Sequence, residues 1–93
     1  MTSPAEHKTP GHTQFTKVNK EGRMLFRVNP GISIDEALEV ASHLQFFANQ
    51  FALDAAMTDN CERLSWASYY LGEMAKALID DVTDGLFLAR PDQ

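Results

Sequence analysis

The chain has 93 residues, with 13 acidic side chains against 8 basic ones and a net charge of −5. That length holds one small domain, and an acidic balance argues against nucleic acid or an anionic membrane as the ligand of its body. A lone cysteine, Cys61, excludes an internal disulfide, and no Cys/His cluster has zinc spacing.

Charge is unevenly placed along the chain. Residues 1–30 carry five basic and two acidic side chains, whereas residues 31–93 carry three and eleven. Residues 1–14 are rich in Pro, Gly, Thr, His and Lys, which reads as a disordered basic arm. They contain no apolar core of a signal peptide. No apolar run in the chain approaches the ~20 residues of a membrane span. The expectation is a cytoplasmic protein with no membrane contact.

Residues 15–30 change character. Phe15-Thr16-Lys17-Val18 and Met24-Leu25-Phe26-Arg27-Val28 flank Asn19-Lys20-Glu21-Gly22, so two β-prone runs surround a turn that ends in glycine. This predicts a hairpin, or a single strand over the second run. A two-stranded hairpin is marginal alone and has to pack on whatever follows.

Residues 31–88 read as a helical hairpin. Asn29-Pro30-Gly31 breaks the preceding structure. Ser33 with Glu36 forms a capping box, and Asp35 and Glu36 suit the positive end of the helix dipole. Helix 1 is expected over about 33–57. Thr58-Asp59-Asn60 makes the turn, and Asp59 with Glu62 offers a second capping box. Helix 2 is expected over about 60–84, with Gly85 as its stop and a tail over 89–93. So short a turn makes the two helices antiparallel neighbours.

The apolar stripes are broader than one helix pair requires. Ile34, Ala37, Ala41, Leu44, Ala48, Phe51 and Ala55 recur at three- and four-residue spacing, the seam of an antiparallel pair. Leu64, Ala67, Leu71, Met74, Leu78 and Val82 form the matching seam. Phe46, Leu53 and Met57 on helix 1, and Trp66 and Tyr70 on helix 2, have no obvious home inside one chain. They are the candidate interface of a homodimer, two hairpins completing a four-helix bundle. Ser68 and Gly72, four residues apart, suggest a close helix crossing, which would offset the ~1 kcal/mol that an interior glycine costs.

Candidate chemistry is sparse. Glu39 and His43 lie four apart, where a di-iron bundle needs Glu-x-x-His and further inward glutamates; the pair reads as a solvated helix face. Cys61 near the start of helix 2 reads as an inert thiol, with no histidine placed in sequence to act with it. Tyr69 falls near the polar face, where it could border a small pocket. Asp80, Asp81 and Asp84 crowd the end of helix 2, where the dipole disfavours anions. They form a candidate partner-facing acidic patch, answered by the basic arm, by Arg23 or Arg27, or by an external partner. No catalytic, cofactor-binding or metal site is legible.

Phe26-Arg27-Val28, Gly31-Ile32, Glu36-Ala37-Leu38, Ala41-Ser42 and Tyr70-Leu71-Gly72-Glu73-Met74-Ala75-Lys76-Ala77-Leu78 resemble a family of short pseudomonad proteins of unknown function. The resemblance implies a bacterial origin and a strand followed by two helices, with no catalytic residues to carry over. The expectation is therefore a mainly α-helical, non-enzymatic interaction module that pairs with itself and is regulatory or adaptor-like. It has no cofactor, and an unknown protein is a further possible partner. The alternatives are a nucleic-acid-linked regulator using the basic arm, and a small-ligand binder or enzyme using the bundle interior.

Overall fold

The computed structural model describes residues 7–88. The order of elements is β1 (Gln14–Lys17), β2 (Met24–Arg27), α1 (Ile34–Ala56) and α2 (Glu62–Leu88). The two strands form an antiparallel hairpin with Phe15 opposite Phe26 and Lys17 opposite Met24. Its turn closes through the Gly22 N–H on the Asn19 carbonyl at 3.1 Å. The two helices pack along their length and β1 packs on α2, while Phe15 of β1 and Arg27 of β2 border one cavity with Glu36, Val40 and Leu44 of α1. The chain is mainly helical, and its shortest dimension is 18 Å. Among the described residues the two helices lie side by side and form a single helical layer.

The start of α1 follows from its first residues. Ser33 Oγ accepts the Glu36 N–H at 3.2 Å, and the Ser33 hydroxyl donates to Glu36 Oε1 at 2.8 Å. The glutamate thus reaches back to the hydroxyl rather than to the Ser33 amide. The helix-start Ile34 N–H donates to the His7 carbonyl at 3.1 Å, which satisfies one of the donors a helix start leaves open. At the other end Asn60 adopts φ +60°, a left-handed conformation that asparagine tolerates. The chain then enters α2 at Glu62, so Cys61 takes the capping position. Asp59 stands too early for the expected capping box. The Ser65 N–H donates to the Cys61 carbonyl at 3.0 Å and closes the first turn.

The seam between the helices is narrow and rich in alanine. Ile34, Ala37, Ala41 and Ala48 of α1 are buried, as are Ala75 and Val82 of α2. Short side chains let the backbones approach closely. The Ser68 hydroxyl donates to the Ala48 carbonyl across the pair at 2.8 Å. Gly72 does not supply a close crossing, because a Cβ built there would meet nothing within 4 Å.

Two expectations about the chain ends are corrected. The disordered arm over 1–14 fails for residues 7–14; residues 1–6 lie outside the described residues, as does the tail over 89–93. Thr9 is buried, and its N–H donates to the Ile32 carbonyl at 2.8 Å. Its hydroxyl donates to the Asn29 carbonyl at 2.7 Å and accepts the Ile32 N–H at 3.1 Å. Lys8 forms a bridge to Ser33. Residues 7–13 are thus a strap held by backbone bonds, which a reading of hydropathy cannot see. Gly85 is not a helix stop either: α2 continues to Leu88. The glycine is buried because the strap crosses it; a Cβ there would lie 2.7 Å from the Lys8 carbonyl oxygen.

Candidate interaction site

The strap and β1 run down one stripe of α2. Glu73, Ala77, Asp81 and Gly85 recur every four residues and lie on one face of the helix. Gly85 meets Lys8 and Pro10. Asp81 receives three consecutive backbone amides, and Glu73 Oε1 accepts the Thr16 hydroxyl at 2.7 Å. The chain from Lys8 to Thr16 therefore lies antiparallel to the helix.

Asp81 is the centre of this contact. It is fully buried. Its carboxylate accepts the N–H groups of Gly11, His12 and Thr13 at 2.9, 2.8 and 2.9 Å. Successive amides converging on one anion form a nest. Gly11 makes that nest possible: its φ is +75°, and a Cβ there would lie 2.8 Å from Pro30. Burial pushes the Asp81 carboxyl up, but the bonds from Gly11, Thr13 and His12 outweigh it and hold the group below its ordinary value of 3.8. The carboxylate is thereby satisfied by backbone rather than by a basic side chain.

The expected acidic patch is accordingly not one surface. Asp81 faces inward. Asp80 pairs with Lys76 at 2.8 Å, and Asp84 is exposed. The spacing of Glu73, Ala77, Asp81 and Gly85 was the available signal, an acidic and small-residue stripe that a passing backbone can approach.

Thr16 sits in β1 with φ +63°, an outlier for a β-branched residue. Its effect is visible in the ladder. The Val18 N–H donates to Arg23 and the Val28 N–H to Thr13. These bonded pairs are an odd number of positions apart, whereas a regular antiparallel ladder bonds every second pair. The left-handed Thr16 absorbs the slip. As a result Phe15 and Thr16, adjacent in sequence, are both half-buried and both border a notch of about 210 Å³ with Phe26, Tyr70 and Met74.

The five candidate interface residues all lie on the outside. Phe46, Leu53 and Met57 are 55%, 54% and 78% exposed, on the side of α1 away from the seam. Phe46 meets Phe47 edge-on at 5.3 Å. Trp66 and Tyr70 stack at 5.8 Å, just beyond the end of the stripe that the strap covers. The structure thus places these residues in two clusters, one per helix. Tyr69 packs edge-on against Trp66 and donates to Glu73 at 3.4 Å. It borders an open groove of about 590 Å³. Glu39 and His43 are exposed. Among the described residues no three His, Cys, Asp or Glu side chains gather as a metal site, and no helix is long and apolar enough to cross a membrane.

A basic β-hairpin and a strap tied to one side of an α-helical hairpin, one layer thick and apolar on its outer faces, define a small two-helix module. The family model described as protein of unknown function (DUF3077) matches residues 9–85, and the chain belongs to that family. The matched span runs from the buried threonine of the strap to the glycine that the strap crosses. No curated protein and no solved structure matches the chain.

Proposed function

We propose that the protein is a non-enzymatic protein–protein interaction module that works as a homodimer, with a regulatory or adaptor-like role. The observation that carries this reading is the exposure of Phe46, Leu53, Met57, Trp66 and Tyr70 on a fold only one helix layer thick. Stable domains bury their apolar faces between at least two layers, and here the strap and hairpin cover only one side of α2 and leave these five side chains without a second layer. Covering a large apolar side chain contributes ~1.5–3 kcal/mol. Apart from Met57, these groups are about half covered already, so three or four of them per chain, doubled by symmetry, contribute a gain comparable to the ~4–15 kcal/mol cost of association. Two helical hairpins stacked face to face make a four-helix bundle, and the completed dimer would present the remaining surface to another protein. The free Cys61 and the resemblance to short pseudomonad proteins support a bacterial cytoplasmic setting.

Light scattering on the full chain tests the reading. A dimer is expected at micromolar concentration, and a stable, well-folded monomer near 10.4 kDa would overturn it. Replacing Phe46 and Leu53 with polar residues should weaken association more than it lowers helicity measured by circular dichroism.

A further inference from the structure

The hairpin and the outer face of α1 carry opposite charge, and no ion pair joins them among the described residues. Residues 14–28 hold Lys17, Lys20, Arg23 and Arg27 against the single Glu21, and all four cations are exposed. None of them pairs with a carboxylate among the described residues. Val18, Met24 and Leu25 are exposed beside them, so the hairpin is a basic surface with an apolar centre. The sequence of α1 contains Asp35, Glu36, Glu39 and Asp54 and no lysine or arginine. Glu39 and Asp54 are exposed at either end of the stretch holding Phe46, Phe47 and Leu53. That face is acidic with an apolar centre. The two surfaces match in kind, yet within one chain the hairpin seats on α2 through β1 and nears α1 only where Phe15 and Arg27 border a cavity with Glu36, Val40 and Leu44, not at Glu39, Phe46 or Asp54.

From this complementarity we infer that two copies associate reciprocally, the basic β-hairpin of each lying along the acidic outer face of the other's α1. The inference rests on the self-association proposed above and says which surfaces make it. Both halves of the contact exist on every chain, so a two-fold axis satisfies both at once. In such a pair Leu25 and Val18 of one copy cover Phe46 and Phe47 of the other, while Lys20 and Arg23 face Glu39 and Asp54. A second copy fits the hairpin better than a phosphate backbone does, because the helices behind it repel polyanions. Attraction of this kind sets partner orientation and weakens with salt.

Charge reversal on the full-length chain provides the test. The variant K20E/R23E should dimerise at least about tenfold more weakly than the natural chain at low salt, and so should E39K/D54K. Circular dichroism checks that each is folded; all four positions are exposed. Mixed in equal amounts, the two variants should recover a dimer, since each then offers the charge the other lacks. The natural dimer should loosen as salt is raised. If the natural chain is a dimer while neither variant dissociates, or the mixture stays monomeric, this inference fails and self-association by another face stands. If the natural chain is itself a monomer, both fail. A monomer that binds duplex DNA through Lys20 and Arg23 would overturn it in favour of a nucleic-acid ligand.

Discussion

The Asp81 carboxylate accepts the Gly11 amide at 2.9 Å across 70 positions of sequence. That bond, with those from His12 and Thr13, joins the strap over residues 7–13 to the last turns of α2. It also explains why an acidic group can sit near the negative end of a helix dipole at no visible cost. The three amides supply the positive field that the dipole withholds.

Removing this anion should be expensive. In Asp81→Asn an amide –NH₂ faces backbone donors, and in Asp81→Ala three amides lose their acceptor. A loss of about 2–4 kcal/mol is expected for either, a fall in Tm of roughly 10–20 °C for a domain of this size. Thermal unfolding followed by circular dichroism measures it. A variant within a degree or two of the natural chain would mean that the strap contributes nothing to stability.

The same site sets an acid limit. Asp81 is held below 3.8 in the folded state, so unfolding has to take up a proton at low pH. Its contribution is complete above 3.8 and is lost as pH falls through the lower, folded value. Urea titrations of the natural chain and Asp81→Asn, at neutral pH and near pH ~3, should show the gap between them narrowing as the medium becomes acid. A gap that widens would contradict the assignment.

Two glycines of α2 should respond to alanine with opposite signs. Gly72→Ala meets nothing within 4 Å and gains helix propensity, so a stabilisation of up to about 1 kcal/mol is expected. Gly85→Ala gains the same propensity but drives a methyl group against the Lys8 carbonyl at 2.7 Å. The strap has to move, and a net loss of about 1–3 kcal/mol is expected. Chemical denaturation of the pair separates the two effects.

At Thr16 the backbone and the side chain pull in different directions. The left-handed conformation costs a residue with a Cβ about 1–2 kcal/mol, while the hydroxyl gains a bond to Glu73. Thr16→Ala keeps the strain and loses the bond. Thr16→Gly loses the bond and relieves the strain. The glycine variant is therefore expected to be the more stable of the two by about 1 kcal/mol, read from urea midpoints; the reverse order would place the strain elsewhere.

Much of the molecule is legible from residue spacing. The α1 seam from Ile34 to Ala55 is covered as the three-and-four pattern requires, because helical periodicity is a local property. The Ser33–Glu36 cap and the hairpin turn at Asn19–Gly22 are local too. On α2, Trp66, Tyr70 and Ala77 share one stripe, as their spacing implies. Spacing alone could not show that the strap seats on Asp81 and Gly85, further along α2 than the two aromatics.

The chain by itself determined two antiparallel helices, β-prone runs before them that pair as a hairpin or leave a single strand, and an excess of apolar surface, since each depends on neighbours within a few residues. Only the tertiary structure decided the course of residues 7–13, the burial of Asp81, the role of Gly85 and the left-handed turn at Thr16. In those cases the partner is a backbone amide or carbonyl many residues away. Every residue type carries such groups, so side-chain pattern leaves no trace of which ones will meet.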